Sequence, residues 1–315
     1  MPRERIPLST LAIPLGLAGL AQLWSVAGAL LGTPFAITES FWAIAAIAWL
    51  WTLAAHLLRG ARSEQRLSHQ LTHLAHGPLA ALLPIAAMLF GANLHLVAPL
   101  AGSIITLAAL AVAAGFAAWM LSFWMRGELP LDAVHGGYFL PISAASLVGA
   151  LASAQLGYRT LAVDALAVGL FFWLLVSIVF FLRLALRPPL PAPLTPTLAI
   201  MVAPPAVAAA AWLTISGGHR DGLFDALSGI AAFMVVIQGM LVPRYLALRF
   251  SLGFWSFTFP AAITAALAVR WLGLMQPPGW QAAIAGLLVI ITGLIVLIAA
   301  NSLRSLRTTA QVAAQ

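Results

Sequence analysis

The chain has no cysteine and no lysine, and only 7% of its 315 residues carry charge. Without cysteine there are no disulfides, thiolate metal sites or cysteine nucleophiles. Soluble domains carry roughly a quarter charged residues. With 63% apolar residues, a chain of this length cannot hide its apolar surface in one aqueous core, so the bilayer is the solvent for most of it. All fifteen cations are arginine, and the sequence pI is near 11.4. Such a value points to nucleic acid only where a basic face clusters on a soluble domain. Here the arginines stand at the ends of apolar runs, as topology signals do. The groupings that a membrane enzyme needs are also missing: there is no paired-aspartate motif for prenyl transfer, and one histidine cluster is too few for a di-iron hydroxylase. No enzyme activity, cofactor or metal is expected.

What is present is a series of apolar runs, each near the ~20 residues that a transmembrane helix requires. Spans are predicted near 7–31, 39–59, 77–97, 99–125, 136–157, 159–187, 195–217, 222–243, 250–273 and 279–303. The first is a span and not a secretory signal, because no small-residue cleavage site and soluble domain follow it. Turn-rich stretches separate the spans, and the tightest break, His95–Pro99, implies a short helical hairpin. With the N-terminus inside, one side receives Arg3, Arg5, Arg59, Arg62, Arg66, Arg126, Arg183, Arg187, Arg244, Arg249, Arg304 and Arg307; the other receives Arg159, Arg220 and Arg270. That division, 12 against 3, places both termini in the cytoplasm and supports an even count.

Proline placement is the most informative pattern. Every odd span has an interior proline: Pro14, Pro84, Pro141, Pro204 (with Pro205) and Pro260, at successive gaps of 70, 57, 63 and 56 residues. Even spans have proline only at their ends, as at Pro99, Pro243 and Pro278. Small residues follow each interior proline, as in PLGLAGLA and PAAITAALA. A proline inside a helix removes a hydrogen bond and bends it, at a cost of about 3 kcal/mol. In a membrane the freed carbonyls need partners, so such helices belong inside the protein or beside water, and small residues let them pack closely. The expectation is an all-α membrane protein: one channel domain over 1–315, built as five helical hairpins, with five bent helices in a quasi-fivefold ring around a central pore and five regular helices against lipid.

The odd spans carry no acid or base in their interiors, which disfavours a proton-coupled pump. An uncharged pore leaves hydroxyls and backbone groups to replace hydration; the candidate liners are Ser9, Thr10, Ser143, Ser146, Thr214 and Thr264, each equally readable as an interhelical hydrogen bond. Asp164 and His95 are the nearest candidates for the ionisable site of a coupled carrier, and both lie near span ends. Phe254, Trp255, Phe257 and Phe259 crowd the ninth span. On residues alone, ordinary packing is the simpler reading of Phe259, with occlusion of a narrow channel as the other. His69, His73 and His76 share one face if they lie on a helix; a solvated or headgroup-facing side is the simpler reading, a metal site the sharper one. His135 precedes the Gly136–Gly137 pair at a span mouth.

Four segments carry a resemblance: IPLGLAGLAQLW from Ile13, YFLPISAASLVGALASAQLGY from Tyr138, IMVAPPAVAAAAWLTISGG from Ile200 and LGFWSFTFPAAITAALA from Leu252. Together they resemble the family of bacterial tellurite-resistance and C4-dicarboxylate (malic acid) transporter proteins and the plant guard-cell slow anion channels. The resemblance implies ten helices around a pore, a homotrimer with one pore per subunit, passive anion conduction and a gating phenylalanine, which falls on Phe259. A bacterial relative has glycine where this chain has Ala12, so Ala12 is expected to narrow the site against which the ring packs. Chloride, nitrate, malate, sulfite and tellurite-related oxyanions all occur as solutes in this family. An uncharged pore favours monovalent anions, since a dianion loses far more hydration; a coupled carrier exporting C4-dicarboxylates is the alternative. The lysine-free, arginine- and alanine-rich composition points to a high-GC bacterium, and the expected location is its inner membrane.

Overall fold

A computed structural model describes residues 5–127 and 129–313, with side chains as far as Ser305. Arg3 and the Arg307 side chain, both counted above, lie outside that description. The described residues are helical with no strand, and ten segments are long and apolar enough to span a membrane. They are Leu8–Leu31, Phe35–Ala61, Gly77–Leu94, Pro99–Trp124, Gly136–Gln155, Arg159–Leu186, Thr195–Ile215, Gly222–Leu246, Leu252–Met275 and Trp280–Ser305. All ten predicted spans are found, within a few residues.

Burial divides them by parity. In the most apolar stretch of each odd span, 56–89% of residues are buried, against 11–28% in each even span. Mean hydropathy runs the other way, 1.4–1.9 in the odd spans and 1.7–2.9 in the even ones. The most apolar helices are therefore on the outside, as expected when the solvent is lipid and not water. Trp51, Leu100 and Met240, each more than three-quarters exposed, are outward-facing side chains of this kind.

Each odd span packs against the even span that follows it, giving five hairpins. The tightest break closes as expected. His95 Nδ1 lies 2.9 Å from the Pro99 carbonyl and 3.1 Å from the Ser103 hydroxyl. The third and fourth spans touch through Gly91 and Gly102; a Cβ on Gly91 would fall 2.9 Å from the Gly102 carbonyl oxygen. The odd spans also touch one another in order, first to third, third to fifth, fifth to seventh and seventh to ninth, and the ninth packs back against the first.

The odd spans share a backbone irregularity. Each opens with 3₁₀ turns, at Leu8–Leu11, Gly77–Ala81, Gly136–Phe139, Thr195–Val202 and Leu252–Phe257. The prolines mark where that turn gives way. Pro14, Pro84 and Pro260 are third residues of the α-helices Ala12–Leu31, Leu82–Leu94 and Thr258–Met275, and Pro204 is second in Ala203–Ile215. Pro141 falls in a single π-helical turn, Leu140–Ala144. A first helical turn tolerates proline because its N–H has no partner there in any case. The prolines are thus inside their spans but at the start of the α-helical part, which places the break nearer one end of each span than the middle.

His69, His73 and His76 do not lie on one helix, because the helix here is short. It covers Leu67–Leu71 and stops at Thr72, whose hydroxyl donates to the Ser68 carbonyl. Beyond it, His73 Nδ1 accepts from the Ala75 N–H and holds a turn.

Candidate ion pathway

Two cavities lie at opposite ends of the odd spans. The one at their N-terminal ends holds about 250 Å³ and is lined from all five: Ser9 and Ala12 of the first, Leu82 of the third, Ala144 of the fifth, Thr197 of the seventh and Phe259 of the ninth are among its walls. The one at their C-terminal ends holds about 510 Å³ and is again lined from all five, by Gln22, Asn93, Gln155, Leu213 and Arg270 among others. Between the two, no span carries Asp, Glu, Lys or Arg.

Phe259 is 7% exposed and lines the N-terminal cavity. Its position follows from how the ninth span docks on the first. Gly16 and Gly19, one turn apart, leave two gaps in the first span. Thr258 fills the first, where any Cβ on Gly16 would collide with its hydroxyl. The Phe259 ring lies across the second, with Cδ2 2.9 Å and Cα 3.4 Å from where a Gly19 Cβ would stand. Thr258 is fixed in turn by donating to the Trp255 carbonyl at 2.7 Å, and Trp255 Nε1 donates to Ser302 Oγ at 3.0 Å. The C-terminal cavity begins on the first span at Gln22, one turn beyond Gly19. Phe259 thus stands between the two cavities. The neighbouring aromatics are otherwise employed: Phe254 and Phe257 stack edgewise at 5.5 Å, with Phe250 and Tyr245 completing the cluster.

The expected polar liners separate. Ser9 reaches the N-terminal cavity, as does Ala12. Ser143, Ser146, Thr214 and Thr264 line neither cavity. Thr214 donates to the Ala210 carbonyl, and Thr10 bonds the Pro7 carbonyl and His56. The hydroxyls of Ser143 and Thr264 are sealed from solvent with no protein partner; Thr264 lies on the stretch between the cavities, and Ser143 at the level of the N-terminal one, between its lining residues Leu140 and Ala144. The carrier candidates are elsewhere: His95 is held in the hairpin turn and Asp164 is exposed on the sixth span.

His135 is fully buried at the N-terminal mouth, where with His76 it lines the cavity. Its Nδ1 accepts from the Gly137 N–H at 3.1 Å, so the ring proton sits on Nε2. Burial, helped by the nearby His76 and Arg183 charges, pushes its pKa down to about 4 against opposing carbonyls at Leu74 and Ala75. His73 and His76 stack at 4.8 Å, while His69 Nδ1 bonds Gln65 Nε2. No three metal-ligating side chains converge among the described residues.

Sequence reading missed three residues here. Gly16 and Gly19 gave a signal, two glycines one turn apart in GLAG, but not the partner they receive. Arg270 was counted only as a topology cation. The structure puts it half-buried on the wall of the C-terminal cavity, so the expectation of a charge-free lining holds between the cavities and fails at this end.

A profile of the SLAC1 family, described as voltage-dependent anion channel, matches residues 5–303. The chain belongs to the voltage-dependent anion channel family. It is a multi-pass membrane protein, and the resemblance read from the four segments is that of its family. It is similar to the tellurite resistance protein TehA homolog of Haemophilus influenzae, with 27% identity over 270 residues, covering 82% of this chain and 79% of that one. It is also similar to two Arabidopsis thaliana proteins: the guard cell S-type anion channel SLAC1, 29% identical over 126 residues, and the S-type anion channel SLAH2, 32% identical over 130. Each of those matches covers 40% of this chain, and the chain spans under a quarter of either plant relative, 22% and 24%. The family is one of channels and transporters, and anion transport is the activity it supports.

Proposed function

We propose that this chain is a passive anion channel whose five buried spans form a ring around an axial pathway, closed at rest by Phe259. The observation that carries the reading is the position of that ring, between two cavities to each of which all five buried spans contribute. The closed circuit of contacts among the odd spans supports the ring. The names of the relatives, anion channels in plants and a tellurite resistance homolog in a bacterium, point to anions as the cargo. Pro14, Pro84, Pro141, Pro204 and Pro260 shape the pathway by setting where 3₁₀ turns become α-helix. Ala12 narrows the inner cavity beside the ring. The unpartnered hydroxyl of Thr264 serves the permeating ion or its water in the charge-free stretch, and that of Ser143 does so at the level of the N-terminal cavity, with Ser146 one turn further on the same span.

Such a stretch favours chloride and nitrate over malate or sulfite, because a dianion gives up more hydration than hydroxyls return. The arginine bias puts the N-terminal cavity and both termini on the cytoplasmic side of a bacterial inner membrane. The exposed apolar faces of the even spans meet lipid and the neighbouring subunits of a homotrimer. In oocytes or liposomes, Phe259→Ala raises anion current, and reversal potentials with chloride, nitrate, malate and sulfite rank the solutes. A correctly inserted Phe259→Ala variant with unchanged current rejects the gate. Flux that requires a proton or sodium gradient replaces the channel with a coupled C4-dicarboxylate or oxyanion carrier.

A further inference from the structure

Arg270 breaks the rule that places most of the other cations. It lies on the arginine-poor side, yet not at a helix end: five residues of the ninth span follow it to Met275, about 7.5 Å of helix. It is half-buried on the wall of the C-terminal cavity. Its Nε is sealed from solvent and makes no hydrogen bond.

No described carboxylate compensates this charge. On the same end of the molecule, Asp225 pairs with Arg220 at 2.6 Å. Asp221 accepts from Trp212 Nε1 and from the backbone N–H groups of Leu223 and Phe224, capping the eighth span. Glu39 accepts from Asn93 Nδ2, and Asp164 is exposed on the sixth span. A guanidinium does not escape burial by losing its proton, and a partly buried charge left unpaired is costly. An ionisable residue at membrane depth that faces a cavity is a functional site by default. With no carboxylate of the described residues beside it, solution is the source of a counter-anion. The same cavity brings two amide side chains, Gln22 and Gln155, whose N–H groups are donors that a small anion accepts. Along the ninth span the site stands eleven residues beyond Phe259, about 16 Å.

We propose that Arg270, with the Gln22 and Gln155 amides, forms an anion-binding site in the C-terminal cavity that takes up a small monovalent inorganic anion before it reaches Phe259. The inference rests on the anion-conducting reading of the same pathway, and it gives the two ends different tasks. Arg270 concentrates and holds the ion; Phe259 decides whether it passes. A binding site in a pathway must also let go, and a single cation flanked by neutral donors achieves this better than paired cations would.

Two measurements test the site and separate it from conduction. The first is the unfolding temperature of the purified full-length protein in lipid-free detergent, with chloride replaced by gluconate at constant ionic strength. Chloride is expected to raise it saturably, following the one-site binding relation, and the increase disappears in Arg270→Gln and persists in part in Arg270→Lys. The second is current in the Phe259→Ala background. Arg270→Gln is expected to lower anion entry from the Arg270 side about threefold at low chloride, and the difference shrinks near 1 M salt, where the screening length is about 3 Å. Equal chloride stabilisation in wild type and Arg270→Gln overturns the site, even if Phe259→Ala conducts. Chloride stabilisation that depends on Arg270, in a protein whose Phe259→Ala form carries no anion current, keeps the site and rejects the channel. Should Arg270→Gln fail to insert, the wild-type titration still decides: no saturable effect of chloride overturns the proposal.

Discussion

The two ends of the buried spans solve opposite problems. At the N-terminal end the backbone is 3₁₀ in every odd span, histidine is buried without charge, and an aromatic ring lines the cavity. At the C-terminal end the helices are regular, the cavity is about twice as large, and a guanidinium and three amide side chains share it. The lining of the first cavity carries no Asp, Glu, Lys or Arg, and that of the second includes a cation. Because the same five helices form both ends, the contrast comes from what the first and last turns of each span carry: their side chains and, at the N-terminal end, the 3₁₀ backbone.

The largest test of that contrast is at His135. Its pKa is held near 4, against about 6.5 in an unfolded chain, chiefly by burial. The unfolded state therefore binds a proton that the folded state refuses between those two values. The stabilising effect of a neutral His135 is complete above pH 6.5, falls as pH drops, and is fully lost below pH 4. The difference amounts to about 3 kcal/mol across the window. His135→Gln should make unfolding free energy, followed by denaturant titration at pH 7 and pH 4, less sensitive to acid by about that amount. An equal acid sensitivity in both proteins would mean that burial does not keep His135 uncharged as described.

Next in size is the ring itself. Phe259→Ala removes the aromatic that separates the cavities, and a bias of about 1.4 kcal/mol toward the occluded state would give roughly a tenfold rise in current. Single-channel recording in liposomes distinguishes a larger open probability from a larger conductance. Only the N-terminal end is altered by this change, so chloride stabilisation through Arg270 should stay as it is in the wild type.

How far the sequence reveals these ends differs residue by residue. The ten spans were legible because bilayer thickness fixes the length of an apolar run, and because arginine marks the ends of most. The parity of the spans was legible in the prolines, since proline has a local backbone consequence that no tertiary context removes. The 3₁₀ opening of each odd span was not, because 3₁₀ and α turns share the same residue preferences over so short a stretch. Whether His69, His73 and His76 share a helix is not legible for a related reason: spacing alone says nothing about where a side chain such as Thr72 closes a helix. Arg270 was visible as a charge but not as a cavity wall, because helix periodicity around it is flat; its neighbours Ala268, Val269, Trp271 and Leu272 are all apolar. Contacts between distant parts of the chain were the least legible of all, and Phe259 on Gly19 is the clearest case.

That contact gives the smallest predicted effect. A Cβ on Gly19 would stand 2.9 Å from Phe259 Cδ2 and 3.4 Å from its Cα. The first distance is too short to survive, while the second and the 3.3 Å to the Ala262 Cβ are tight but tolerable, so the ring gives way before the helix does. Ring displacement by a single methyl is partial, and Gly19→Ala should raise current about threefold, less than removal of the ring. The double variant Gly19→Ala with Phe259→Ala should conduct like Phe259→Ala alone, because the methyl then has no ring to displace. If instead Gly19→Ala multiplies current by the same factor in both backgrounds, the glycine acts through helix packing and not through the ring. The N-terminal end would then be gated by movement of whole spans, and Phe259 would be one of several side chains carried along with them.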